Sequence, residues 1–225
     1  MTRIRFHQEL DELKHRILAM AGMAEQAIDL AVQAYSQRDP LLCQRVISNE
    51  AAINRAEREV DEFAIDLLAM QQPMAIDLRF ILAVIKINAD LERIGDQAVN
   101  IVQRVMNMIE LPVSELPVDI PAMATRVRAM IRDALRSFIE GDPELARHVL
   151  EADDEIDRMN HEAFATLSGF MQSQPNGAVQ ALDALSIARN LERVADHATN
   201  IAEDVIFWIR GADVRHGAGH QTAGS

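Results

Sequence analysis

The residues of this 225-residue chain that could do chemistry occur in two copies. Asp90-Leu-Glu-Arg-Ile-Gly-Asp-Gln-Ala-Val-Asn-Ile101 returns as Asn190-Leu-Glu-Arg-Val-Ala-Asp-His-Ala-Thr-Asn-Ile201, with Leu, Glu, Arg, Asp, Ala, Asn and Ile kept in place. Each copy holds a Glu-x-x-x-Asp pair, Glu92 with Asp96 and Glu192 with Asp196. Residues four apart on a helix stand one above the other, so like charges there repel by a few tenths of a kcal/mol. A bound cation reverses that sign. Several carboxylates at one height suit cations that accept oxygen ligands: Mg²⁺, Mn²⁺, iron and sometimes Zn²⁺.

These pairs need helices to carry them and a neighbour to complete them. Breaks at Asp39-Pro40, Gln72-Pro73, Leu111-Pro112 to Pro121, Gly141-Asp142-Pro143 and Pro175-Asn176-Gly177 divide the chain into six long segments. Between the breaks, apolar residues recur at helical spacing: Phe80, Val84, Ile87, Leu91, Ile94, Ala98, Ile101 and Val105 in the third segment, and Ala184, Ile187, Leu191, Val194, Ala198, Ile201 and Val205 in the sixth. Upstream, Val46, Glu50, Ile53 and Asn54 match Val149, Asp153, Ile156 and Asp157, so the repeat covers whole halves of the chain. The expected fold is all-α: two tandem, sequence-related antiparallel three-helix bundles spanning 1–112 and 113–210. They pack end to end or side by side, and a glycine-rich disordered tail follows at 211–225.

Hairpin geometry then supplies the neighbours. If the second and third helices fold back about Gln72-Pro73, Glu50 comes level with position 95 and Asn54 with position 91. About Gln174-Pro175, Asp153 comes level with Asp196 and Asp157 with Glu192. Two candidate cation sites result, one of three carboxylates and an amide, the other of four carboxylates. On the helical wheel the acids lie beside the apolar stripe through Leu91 and Ile94, which places them at the surface.

Other chemistries lack their residues. A di-iron bundle enzyme wants Glu-x-x-His on two inward-facing helices, but Gly95 and Ala195 stand three after Glu92 and Glu192. His197 adjoins Asp196 but points about 100° away round the helix, and its counterpart is Gln97. Arg93 and Arg193 are expected to pair with acids on a neighbouring helix, and Asn100 and Asn200 to extend the cation sites or to join helices. No phosphate-binding glycine loop, Gly-x-Ser-x-Gly elbow or Cys-x-x-Cys is present, and the single cysteine, Cys43, has no internal partner. With 22 Lys and Arg against 35 Asp and Glu, the net charge of −13 argues against binding nucleic acid. Aromatics at 4% disfavour a β-sandwich or barrel. The charge-free stretch from Ala163 to Leu182 is broken by Pro175, Asn176 and Gly177, so no membrane insertion is expected, and the N-terminus lacks a secretory core, which indicates the cytoplasm.

Gln72-Pro-Met-Ala-Ile-Asp-Leu-Arg79 leading into Asp90-Leu-Glu-Arg-Ile-Gly-Asp96, the partner segment Asn190 to Glu203, and the opening Phe6-His-Gln-Glu-Leu-Asp-Glu-Leu13 closely resemble the PhoU family of phosphate-transport regulators. The likeness covers about 210 residues, including the duplicated three-helix plan. It implies a cytoplasmic, non-enzymatic protein that restrains the phosphate-starvation response, acting between a phosphate ABC transporter ATPase and a sensor histidine kinase, and forming a homodimer. It also implies multinuclear metal clusters, one per repeat, held by acidic pairs. Carried over residue by residue, these fall on Glu50, Asn54, Glu92 and Asp96, and on Asp153, Asp157, Glu192 and Asp196. Asn54 departs from the acidic pattern, so the first site is expected to hold fewer or weaker metals. The alternative reading is a carboxylate-bridged metalloenzyme, an oxidase or phosphohydrolase; a third is a helical repeat whose acids are only a solvated face.

Overall fold

The computed structural model describes residues 3–211, and among these there are six long helices and no strand. They are α1 (Arg3–Gln37), α2 (Pro40–Met70), α3 (Ala75–Ile109), α4 (Ile120–Glu140), α5 (Pro143–Ser173) and α6 (Ala178–Arg210), with one 3-10 turn at Pro175–Gly177 before α6. Every expected break separates two helices, for local reasons. The Asp39, Asp119 and Asp142 side chains accept from the backbone N–H groups of Leu41, Ala122 and Glu144, capping α2, α4 and α5, each with proline in its first turn. Gly141, at φ 65°, ends α4 in the left-handed conformation that a side chain disfavours. Arg38 adopts φ 51° after α1, and its guanidinium donates to the carbonyls of Met108, in the last turn of α3, and of Leu111 just beyond it. Position 211 ends α6, and the tail expected beyond it lies outside the described residues.

The stripes read from the sequence are the buried faces. Phe80, Val84, Ile87, Leu91, Ile94, Ala98, Ile101 and Val105 of α3, and the seven named residues of α6, are all buried, giving these two helices the most deeply buried faces of the fold. Accordingly α3 and α6 pack on each other at the centre, with α1 and α2 on α3, α4 and α5 on α6, and α1 touching α4. The two triplets therefore stand side by side rather than end to end. In order, α2, α3, α6 and α5 cross one broad face, with α1 and α4 behind, and a continuous apolar core runs through all six helices.

A polar seam sets how α3 meets α6. Arg79 Nε donates to Trp208 O at 3.0 Å, Lys86 pairs with Asp204 at 2.9 Å, His197 Nδ1 lies 2.9 Å from Asp90 Oδ1, and Arg104 lies 3.9 Å from Asp183. Partners retreat along α6 as residues advance along α3, so the central helices are antiparallel and the repeats are related by an approximate two-fold axis. The 72–74 and 175–177 turns consequently lie at opposite ends of the molecule.

Candidate functional site

The hairpin of α2 and α3 closes tightly enough to bring their polar edges together. A Cβ on Gly95 would come within 2.9 Å of Ile53 Cδ1, so the absence of a side chain permits the close approach. One turn before Glu92, the fully buried Asn88 donates from Nδ2 to Glu57 O and to Asp61 Oδ1, both at 2.8 Å. This latch fixes the register, and its bond to Glu57 O joins two residues that the mirror about Gln72-Pro73 puts level.

The register decides which acids meet. Burial, followed by the charges of Asp96, Glu57 and Glu50, pushes the Glu92 carboxyl above its usual range, with Arg93 opposing. Glu57 was not among the residues expected from the sequence. It stands three after Asn54 and seven after Glu50, on the same face of α2. That spacing could have found it, but its counterpart in the second repeat is Asn160, so comparing the copies concealed it. Asn54 Oδ1 is buried without a hydrogen-bond partner.

In the second repeat the four expected carboxylates are all within electrostatic reach of one another. Asp153 is pushed up to about 6, by burial first and then by Asp157, Asp196, Asp154 and Glu192. Glu192 is raised by burial, Asp196 and Asp157 against the opposing Arg189 and Arg193. Asp196 is raised by burial and Asp157, with His197 and Arg193 opposing. The level pairs Asp153–Asp196 and Asp157–Glu192 are both among these couplings. Basic side chains near the acids thus lessen the repulsion without removing it.

The donor chemistry of both clusters, carboxylate and amide oxygen at a half-buried surface, fits a hard cation. Among the described residues, however, no three His, Cys, Asp or Glu side chains already converge as a ligand shell. The acids are gathered but not closed around a point, so holding an ion would require rotamer changes in the Glu and Asp side chains.

The neighbouring repeat motif residues serve the seam instead. His197 faces Asp90 across the α3–α6 interface, which places its Nδ1 away from the acid cluster. Asn200 Nδ2 also donates to Asp90 Oδ1, at 3.2 Å, so this asparagine joins helices. Arg93 pairs with Asp90 of its own helix at 3.5 Å, not with an acid on a neighbouring helix as expected.

A duplicated three-helix architecture with an acidic cluster on the second and third helices of each copy defines a helical scaffold protein with paired surface sites. Its relatives make the class specific. The model of the PhoU domain family matches residues 17–105 and again 120–205. A phosphate-specific transport system accessory protein PhoU homolog from Pseudomonas putida is 40% identical over 214 residues, covering 94% of this chain and 83% of that one. The corresponding protein of Pseudomonas aeruginosa is 37% identical, covering 94% and 88%. The crystal structure of PhoU from Pseudomonas aeruginosa superposes with a TM-score of 0.88 at 36% identity, over 92% of this chain and all of that one. The phosphate transport system regulatory protein PhoU from Streptococcus pneumoniae gives a TM-score of 0.86 at 26% identity, over 93% and 99%. The chain belongs to the PhoU family. Those relatives are named as accessory or regulatory proteins, and this chain is a non-enzymatic member.

Proposed function

We propose that this chain is a cytoplasmic accessory protein of phosphate transport that restrains the phosphate-starvation response by contacting the transporter ATPase and a sensor histidine kinase. The names of its relatives support the transport role. Among the described residues no helix is long and apolar enough to cross a membrane.

Metal binding is part of the proposal. Glu50, Asn54, Glu57, Glu92 and Asp96 would hold cations in the first repeat, and Asp153, Asp157, Glu192 and Asp196 in the second. The observation that carries it is the second quartet, where burial first and then the charges of Asp157, Asp196, Asp154 and Glu192 raise Asp153 to about 6, and a cation would relieve the repulsion among them. Iron, zinc, manganese or magnesium all suit the oxygen donors, singly or as a cluster. The bound ion would fix the α2–α3 and α5–α6 hairpins, and the chain would act as a homodimer.

The test has separable arms. Elemental analysis of native protein should find metal, and an Asp96→Ala, Asp196→Ala double variant should lose it. Purified chain should retain the kinase's cytoplasmic region or the ATPase at high phosphate. Metal without partner capture would remove the regulatory role alone, and capture without metal would remove the cation sites alone.

A further inference from the structure

The face formed by α2, α3, α6 and α5 carries exposed apolar side chains beside the acids in both repeats. On α3, Leu82 lies on the same outward stripe as Glu92 and Asp96, and Ile65 on α2 continues the stripe of Asn54 and Asp61. Ile65 is 58% exposed and Leu82 37%. In the second repeat Leu182 on α6 is the copy of Leu82, and on α5 Phe164 stands one turn before Ser168, the copy of Ile65; Phe164 and Leu182 are 59% and 57% exposed. Phe164 also edges a hollow of about 300 Å³ in the α5–α6 groove, shared with Leu185 and rimmed by Arg189. Single exposed apolar residues are ordinary, but an apolar pair on both helices of each hairpin, beside a groove that ends in carboxylates, is not.

The seam contacts place these grooves. Because α3 and α6 run antiparallel, the acid clusters lie level near the middle of the face. The apolar pairs lie on opposite sides of that level, separated by roughly 35 Å along the helix axes. Each groove thus offers an apolar floor toward its hairpin turn and negative charge toward the centre. A helix with an apolar stripe flanked by Lys or Arg complements both parts. Two such grooves about an approximate two-fold axis match two copies of one helix, which a symmetric dimer presents.

We propose that this face receives a two-fold symmetric protein partner, seating one basic amphipathic helix from each of its subunits in the α2–α3 groove and in the α5–α6 groove. The proposal concerns the partner's symmetry and contact chemistry, and stands apart from the partners' identities suggested above.

The test uses the full chain in buffer free of divalent cations, with an 18-residue helix-forming peptide bearing a Leu stripe flanked by Lys. Calorimetry should count two peptides per chain. Ile65→Ser with Leu82→Ser should remove one, Phe164→Ser with Leu182→Ser the other, and circular dichroism should show unchanged helix content, since all four side chains are exposed. A control peptide with Glu for Lys should bind at least ~10-fold more weakly. Two peptides joined by about 40 Gly/Ser residues, enough to span the grooves, should bind one per chain and at least ~10-fold more tightly than the single peptide. No binding, binding that survives all four substitutions, or equal binding of the Glu peptide would overturn the grooves as docking sites. Absence of any gain on tethering would overturn the symmetric partner.

Discussion

Asp90 and His197 meet across the centre of the molecule, with His197 Nδ1 2.9 Å from Asp90 Oδ1 and the aspartate side chain 7% exposed. The approximate two-fold axis carries this pair onto Asn190 and Gln97, both buried. The repeat therefore differs at these positions: acid with imidazole on one side, and on the other two amides, Asn190 donating to Ser186 O and Gln97 Oε1 accepting from Asn100 Nδ2.

Asp90→Asn should cost about 1–3 kcal/mol, the range for leaving a buried polar partner unsatisfied. Adding His197→Gln, which copies the opposite side of the axis, should recover most of the loss. Urea denaturation of the two single variants and the double variant gives the coupling; additive losses would show that the two side chains act independently.

The first acidic cluster should respond to its one amide. Asn54→Asp replaces the amide nitrogen with a second potential oxygen ligand, beside an oxygen already buried without a hydrogen-bond partner. Metal affinity of the first repeat should rise by about 10-fold. Glu57→Gln should lower it, leaving the second repeat unchanged. Titration with Mn²⁺ followed by electron paramagnetic resonance separates the two repeats when the other is disabled by substitution.

Stability without metal should fall as pH rises from about 4 to 6. The Asp153 carboxyl lies at about 6 in the folded chain against an ordinary 3.8, so the native state holds this proton more tightly. Its stabilising contribution is full below the ordinary value and is lost as pH passes through the folded one. Urea midpoints measured in chelator across that range should decline, and Asp153→Asn should flatten the decline. A saturating cation should reverse the trend.

The aromatic group behind the central helices should be costly to disturb. Phe138 of α4 is fully buried, stacks on Phe80 of α3 at 5.9 Å between centroids, and lies 5.6 Å from Trp208 of α6. Phe138→Ala should destabilise by about 3–5 kcal/mol through the cavity it leaves. The single tryptophan, Trp208, sits in this group, so its fluorescence reports the unfolding directly.

The helices were legible because their signals are local. Asp39, Asp119 and Asp142 with following prolines, and glycine at 141, act within one turn of the chain and needed no tertiary context. The acid pairs at 92 and 96, and at 192 and 196, were legible because the chain states them twice. Glu57 escaped because its copy is Asn160, and repetition conceals a residue that one half has changed.

The sequence by itself determined six amphipathic helices, their duplication, and which acids share a height in each hairpin, since helical period and turn position follow from short-range sterics and backbone hydrogen bonding. Tertiary structure alone decided that the halves lie side by side on antiparallel α3 and α6, that His197 turns to Asp90 and not to the acids beside it, and that Asn88 latches α2 to α3 where Glu57 acts on Glu92. Those outcomes depend on side chains distant in the chain burying their polar atoms against one another. Spacing along a single helix does not contain that information.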